Sequence, residues 1–187
     1  TPEANHALTN TDAIIICVGT PDSGTGATNL KFVLSAAETI AETLTKSAPI
    51  FIKSTVPVGT ASRIEENIKS TIKKRKIDIK IPVASNPEFL HEGTAISEFY
   101  EPDRIILGTK DENVIRIAKD MYKNFIDKDE RMLIMSAESS ELTKYASNSF
   151  LATKVSFMNQ LAHFSSAVGA DIEEIRMGMG PDAAIGE

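Results

Sequence analysis

The sequence predicts an α/β fold, a parallel sheet with helices on its faces followed by one long helix. Three observations predict it. Short apolar runs alternate with stretches of helical periodicity along the chain. The first run, AIIICV at 13–18, is continuous and β-branched, as in a strand buried on both faces. The stretch 136–168 holds neither proline nor glycine and so allows a helix of about 33 residues.

The elements follow in order. After the strand at 13–18, Asn29 is placed to cap a helix whose apolar positions are Val33, Leu34, Ala37, Ile40, Ala41 and Leu44. IFIK (50–53) is a second strand, and Thr60 to Arg75 a second helix with Ile64, Ile68 and Ile72 on one stripe. The basic run KSTIKKRK (69–76) ends that helix, where cations suit the dipole. Ile81–Ala84 is a third strand, RIILG (104–108) a fourth, residues 112–122 a helix and MLIM (132–135) a fifth strand. The long helix carries apolar residues on more than one face, among them Leu142, Phe150, Val155, Phe157 and Phe164, which predicts cover from a neighbouring domain or subunit. Gly169 ends it, and DIEE (171–174) caps a short last helix.

Composition narrows the function. An apolar fraction of 42% and a charged fraction of 25% are those of a globular protein. The net charge of −6 argues against nucleic-acid binding, which runs on positive charge. No apolar stretch is long enough to cross a membrane, and TPEANHALTN is not a signal peptide. A single cysteine, Cys17, excludes an internal disulfide, fits a reducing cytoplasm and reads as a small core residue. His6, His91 and His163 are scattered, so no metal site is expected.

In sheets of this kind ligands sit beyond the carboxyl ends of the strands. Three unusual loops fall there: VGTPDSGTG, KSTVPVG and SNPEFLHEG. In the first, Gly19 lets backbone approach a flat ligand and Thr20 offers a hydroxyl. KSTVPVG sets Ser54 and Thr55 before Pro57 and Gly59, which reads equally as a hydroxyl-capped turn or as a pair that bonds a nucleotide or positions a water. SNPEFLHEG (85–93) sets Glu88 and Glu92 around Phe89 and Leu90, more apolar surface than a plain turn needs. On the long helix Lys144 and Asn148 share a face. Such a pair is commonly a surface lysine beside a polar neighbour. Inside the apolar stretch ELTKYASNSFLATKVSFMNQ, however, it needs partners, and it could stabilise negative charge on a substrate oxygen.

TDAIIICVGTP, IKSTVPVGT, SNPEFLHEGTAISEFYEPDRIILG and ELTKYASNSFLATKVSFMNQ, in that order, resemble the UDP-glucose/GDP-mannose dehydrogenase family from about Asp12 to Asp182. The resemblance implies a Rossmann-like sheet, of which this chain holds the second half. It also implies oxidation of a sugar C6 alcohol, UDP-glucose to UDP-glucuronate, with two NAD in succession. A cysteine thiolate would carry the thiohemiacetal and thioester. Position by position, Lys144 and Asn148 match the oxyanion-stabilising pair, Glu88 the carboxylate of thioester hydrolysis and Thr55 the hydroxyl that helps hold its water. Phe89 and Leu90 match residues lining the sugar nucleotide, while Val18, Thr20, Ser54, Thr55 and Glu92 match positions near NAD. GDP-mannose, a UDP-N-acetylhexosamine, or a 3-hydroxyacid oxidised once are the alternative substrates.

The chain departs from that family in having no G-x-G-x-x-G turn and no cysteine in a glycine-rich loop. The expectation is therefore a central piece of a longer, cytoplasmic enzyme of polysaccharide biosynthesis, inactive by itself. Residues 1–135 would be the carboxyl-terminal part of the NAD-binding domain. Residues 136–187 would be a connecting helical domain that pairs two copies through the long helix.

Overall fold

The computed structural model describes residues 3–126, 131–183 and 185. The chain divides into two compact units, Thr1–Tyr145 and Ala146–Glu187. In the first, five strands form one sheet in sequence order: β1 (Ile14–Ile16), β2 (Ile50–Ile52), β3 (Val83–Ser85), β4 (Ile105–Gly108) and β5 (Met132–Met135). Around them come α1 (Ala4–Ala7), α2 (Lys31–Thr43), α3 (Thr60–Arg75), the short α4 (Ala95–Tyr100), α5 (Glu112–Tyr122) and the first turns of α6 (Ala137–Val168).

Strand alternation divides the core between two faces. Ile50 and Ile52 of β2 point with Ile16 and Val83 toward α2 and α3, where Val33, Ile40, Ile64 and Ile68 meet them. Phe51 and Ala84 point the other way, to Val114, Ala118 and Tyr122 of α5. The stripe at four-residue spacing on α3 is buried, as the periodicity predicts. The basic end of α3 also has a packing role. Arg75 Nη1 donates to the carbonyls of Ala41 (2.5 Å) and Leu44 (2.8 Å), at the carboxyl end of α2.

The sheet is mixed, which corrects the all-parallel expectation. β1, β2 and β3 are parallel, and β4 and β5 are parallel to each other, but β3 and β4 run in opposite directions. The reason lies in the connection. A parallel neighbour needs a crossover of a dozen or more residues, usually a full helix. Residues 86–104 supply only the six-residue α4, and the chain turns back from the end it has just reached. A second correction concerns the first strand. It is shorter than AIIICV, lies at the edge of the sheet and leaves Ile15 exposed. Cys17 just beyond it is exposed too, not a core residue.

The second unit holds the remainder of α6 and α7 (Ile172–Met179). Asp171 caps α7, its carboxylate accepting from the N–H groups of Glu173 (2.7 Å) and Glu174 (3.4 Å). On α6, Phe150, Val155, Phe157 and Phe164 are each more than half exposed. No helix among the described residues is long and apolar enough to cross a membrane.

Candidate active site

Two of the strand-end loops are stitched together by hydroxyls. Ser54 Oγ donates to the Val18 carbonyl at 2.6 Å, and Thr20 Oγ1 donates to the Thr55 carbonyl at 3.0 Å. These bonds hold the ends of β1 and β2 side by side. A hydroxyl that donates to backbone keeps its lone pairs as acceptors. The space beside Gly19 is open, with no atom within 4 Å of where a Cβ would stand. Hydroxyl acceptors, open backbone and the carboxyl edge of parallel strands fit a dinucleotide.

The third loop is anchored from below. Asn86 is fully buried; its N–H donates to the Ile52 carbonyl (2.9 Å), its Nδ2 donates to the Ile106 carbonyl (2.9 Å), and its Oδ1 accepts from the Tyr122 hydroxyl (2.5 Å). One side chain thus ties the loop to β4 and α5, while its backbone ties it to β2. Burial, with the nearby Cys17, pushes the Tyr122 phenol up to about 12, so it stays a donor. Lys53 lies 3.4 Å from the same hydroxyl, and burial lowers its pKa.

Above this anchor Glu88 meets Lys144. Glu88 Oε1 lies 2.9 Å from Lys144 Nζ, and Oε2 accepts from the Leu90 N–H at 2.7 Å. The lysine side chain is 7% exposed and the glutamate 34%. Partial burial opposes ionisation of Glu88, but the Leu90 N–H and the Lys144 ammonium outweigh it and hold the carboxyl below its ordinary pKa. The Phe89 ring takes Lys144 Nζ at 5.2 Å and the Arg104 guanidinium at 4.4 Å from its centroid.

Lys144 owes its place to a close approach. A Cβ on Gly108 would lie 2.6 Å from Ser140 Cβ and 2.9 Å from Ala137 Cα, so only glycine lets α6 start against the end of β4. Ser140 Oγ then donates to Ser85 Oγ at 2.9 Å, and Lys144 follows one turn later beside Glu88.

The structure therefore joins Val18 to Ser54, Thr20 to Thr55, Leu90 to Glu88, and both Glu88 and Phe89 to Lys144. Glu92 is exposed on the same loop, and none of the described hydrogen bonds or ion pairs engages it. Asn148 is exposed one turn beyond Lys144, in the second unit. Sequence reasoning missed Asn86, Lys53, Arg104 and Tyr122 as partners of the site. Asn86 and Lys53 carried a signal, since polar residues directly after buried strands need bonds. Arg104 and Tyr122 carried none. Among the described residues no cluster of His, Cys, Asp and Glu could hold a metal.

A carboxylate next to a buried ammonium, at the carboxyl edge of the parallel strands of a mixed α/β sheet, defines the class: an α/β domain with a ligand site at its strand ends. Residues 1–126 match the NAD-binding domain of the UDP-glucose/GDP-mannose dehydrogenase family and residues 138–187 match its central domain. The chain belongs to the UDP-glucose/GDP-mannose dehydrogenase family. It is 42% identical over 181 residues to the UDP-glucose 6-dehydrogenase of Pseudomonas aeruginosa, covering 97% of this chain and 40% of that protein. The chain thus spans about 40% of that relative's length. Its fold superposes on a UDP-glucose dehydrogenase of Pyrobaculum islandicum with a TM-score of 0.89 at 35% identity, covering all of this chain and 42% of the other. A GDP-mannose dehydrogenase of Pseudomonas aeruginosa gives 0.88 at 27% identity, over 97% of this chain and 42% of the other.

Proposed function

We propose that this chain forms the cofactor edge and half of the substrate cleft of a cytoplasmic enzyme that oxidises the C6 alcohol of UDP-glucose to the carboxylate, consuming two NAD. The observation that carries this reading is the Glu88–Lys144 pair, 2.9 Å apart beside the strand-end hydroxyls. NAD, when bound, supplies the hydride acceptor. Val18, Thr20, Ser54 and Thr55 would hold it along the edge they already share, with Glu92 beside it. Phe89 and Leu90 line the sugar nucleotide.

Lys144 places a positive charge where an alkoxide develops on the C6 oxygen, a stabilisation largest where water is excluded. Glu88, with its carboxylate ionised, takes a proton from a water that Thr55 helps hold, and so hydrolyses a thioester carried by a cysteine. A base must lie within roughly 3 Å of the proton it takes, and a loop anchored at Asn86 and Pro87 suits that demand.

Replacing Lys144 with Ala in the natural full-length protein lowers kcat by about 100-fold or more. Near-normal turnover would remove Lys144 from the chemistry. Two NADH formed per sugar separate this reaction from the single oxidation of a 3-hydroxyacid. Comparison of UDP-glucose, GDP-mannose and UDP-N-acetylhexosamines as substrates decides the sugar. The 187-residue chain by itself makes no NADH from UDP-glucose, because its sequence has no G-x-G-x-x-G turn for the cofactor's pyrophosphate and its one cysteine, Cys17, does not stand in a glycine-rich loop; sustained NADH production would overturn that.

A further inference from the structure

Helix α3 starts with no capping side chain of its own, its N-cap being Gly59 at φ 88°. The first N–H groups of a helix have no partner inside it. Here the partner comes from another helix. Glu141 of α6, 2% exposed, accepts from the Gly59 N–H at 2.6 Å through Oε2 and from the Ala61 N–H at 2.8 Å through Oε1. Negative charge at the positive end of a helix is the favourable arrangement. Glu138, one turn earlier, accepts from Ser62 Oγ at 3.1 Å. Between them Ser140 bonds Ser85, and three residues after Glu141 comes Lys144. Two turns of one helix therefore grip both the KSTVPVG loop and the base of SNPEFLHEG.

We propose that Glu141 is a positioning residue: by bonding both N–H groups at the start of α3 it fixes the turn 54–59, and with it Thr55, at a set distance from Lys144 on its own helix. This rests on the roles given above to Thr55 and Lys144. Ser54 and Thr20 hold the first half of the turn to the end of β1, so the Glu141 bonds act on its other end, where Gly59 at positive φ joins the turn to α3. Without the carboxylate, one buried and one half-buried donor lose their partner and the turn must move to find others.

The test uses the natural full-length protein and its Glu141→Gln variant, which keeps shape but cannot accept two N–H bonds through both ends. By hydrogen exchange with mass spectrometry, the peptide covering 54–62 exchanges about tenfold faster in the variant, while the β2 peptide is unchanged. In the dehydrogenase assay kcat falls about tenfold with KM for the sugar nucleotide within about threefold. A merely structural loss would instead speed exchange throughout. Unchanged exchange at 54–62 overturns the clamp. Faster exchange with unchanged kcat overturns the positioning role. Should the variant fail to fold, the wild-type protein still decides: unprotected Gly59 and Ala61 amides sink the proposal. Thr55→Val and Lys144→Ala, assayed in parallel, separate the two readings. Normal turnover in both removes the functional reading and this proposal with it, whereas a loss in both with none in Glu141→Gln removes only the proposal.

Discussion

Glu88 and Glu141 are two carboxylates on one site whose surroundings shift them in opposite directions. For Glu88 the Leu90 N–H and Lys144 outweigh burial, so its folded pKa is depressed. Its contribution to stability is therefore fully present above the ordinary glutamate pKa of about 4.3 and is lost as pH falls through the lower folded value. Lys144→Met removes the largest charge partner and leaves the partial burial, so the Glu88 pKa rises. Carbon-13 NMR of the carboxyl reads this directly, and an unchanged titration would mean the pair at 2.9 Å is not formed in solution. For Glu141 burial wins over its backbone donors, and its folded pKa is raised. The stability it contributes is complete below the ordinary range and fades as pH rises through the folded value. Urea unfolding of wild type and Glu141→Gln should therefore differ most in slope against pH just above the ordinary carboxylate range; parallel curves there would refute the shift. Glu88 was readable from the loop in which it stands. Glu141 was not, because nothing in ELTK distinguishes a buried cap from a surface acid.

Helices and strands here are set by contacts that a few small residues permit. The apolar stripes of α2 and α3 were readable from spacing, and each is buried as its spacing predicts. The direction of β4 was not, since RIILG reads alike in either orientation and only the short α4 connection decides it. Gly108 is the other silent determinant. Gly108→Ala forces α6 off the end of β4, at a cost of about 1–3 kcal/mol for overpacking. Because Lys144 follows on that helix, the change also weakens the Glu88–Lys144 pair. Denaturant unfolding measures the first effect and the Glu88 titration the second; a variant that is unchanged in both would show that α6 adapts without moving its lysine. On the core side, Ile64→Ala at a fully buried position of α3 costs about 2–5 kcal/mol, readable in the same unfolding experiment.

As a molecule, the chain carries more apolar surface on α6 than it covers. Phe150, Leu151, Val155, Phe157 and Phe164 are exposed along the helix, a pattern that calls for an additional partner. We propose that a second copy supplies it, so light scattering of this chain reports a dimer and Phe157→Glu a monomer; a clean monomer of the unaltered chain would count against it. The order of elements and the place of the site at the strand ends could be read before any coordinates, because periodicity and turn chemistry are local. The partners of Asn86 and of the hydroxyl stitches could not, because they lie 20 to 36 residues away, nor could the reversal of β4, which turns on the short α4 connection. That reversal has a mechanical consequence. Among the described residues only Ser85 and Gly108 are paired across β3 and β4, so the sheet is two ribbons meeting at a seam one rung wide. Under partial denaturation the ribbon of β4 and β5 should peel away along that seam with its amides exchanging first, while the three parallel strands beneath the cofactor edge stay zipped.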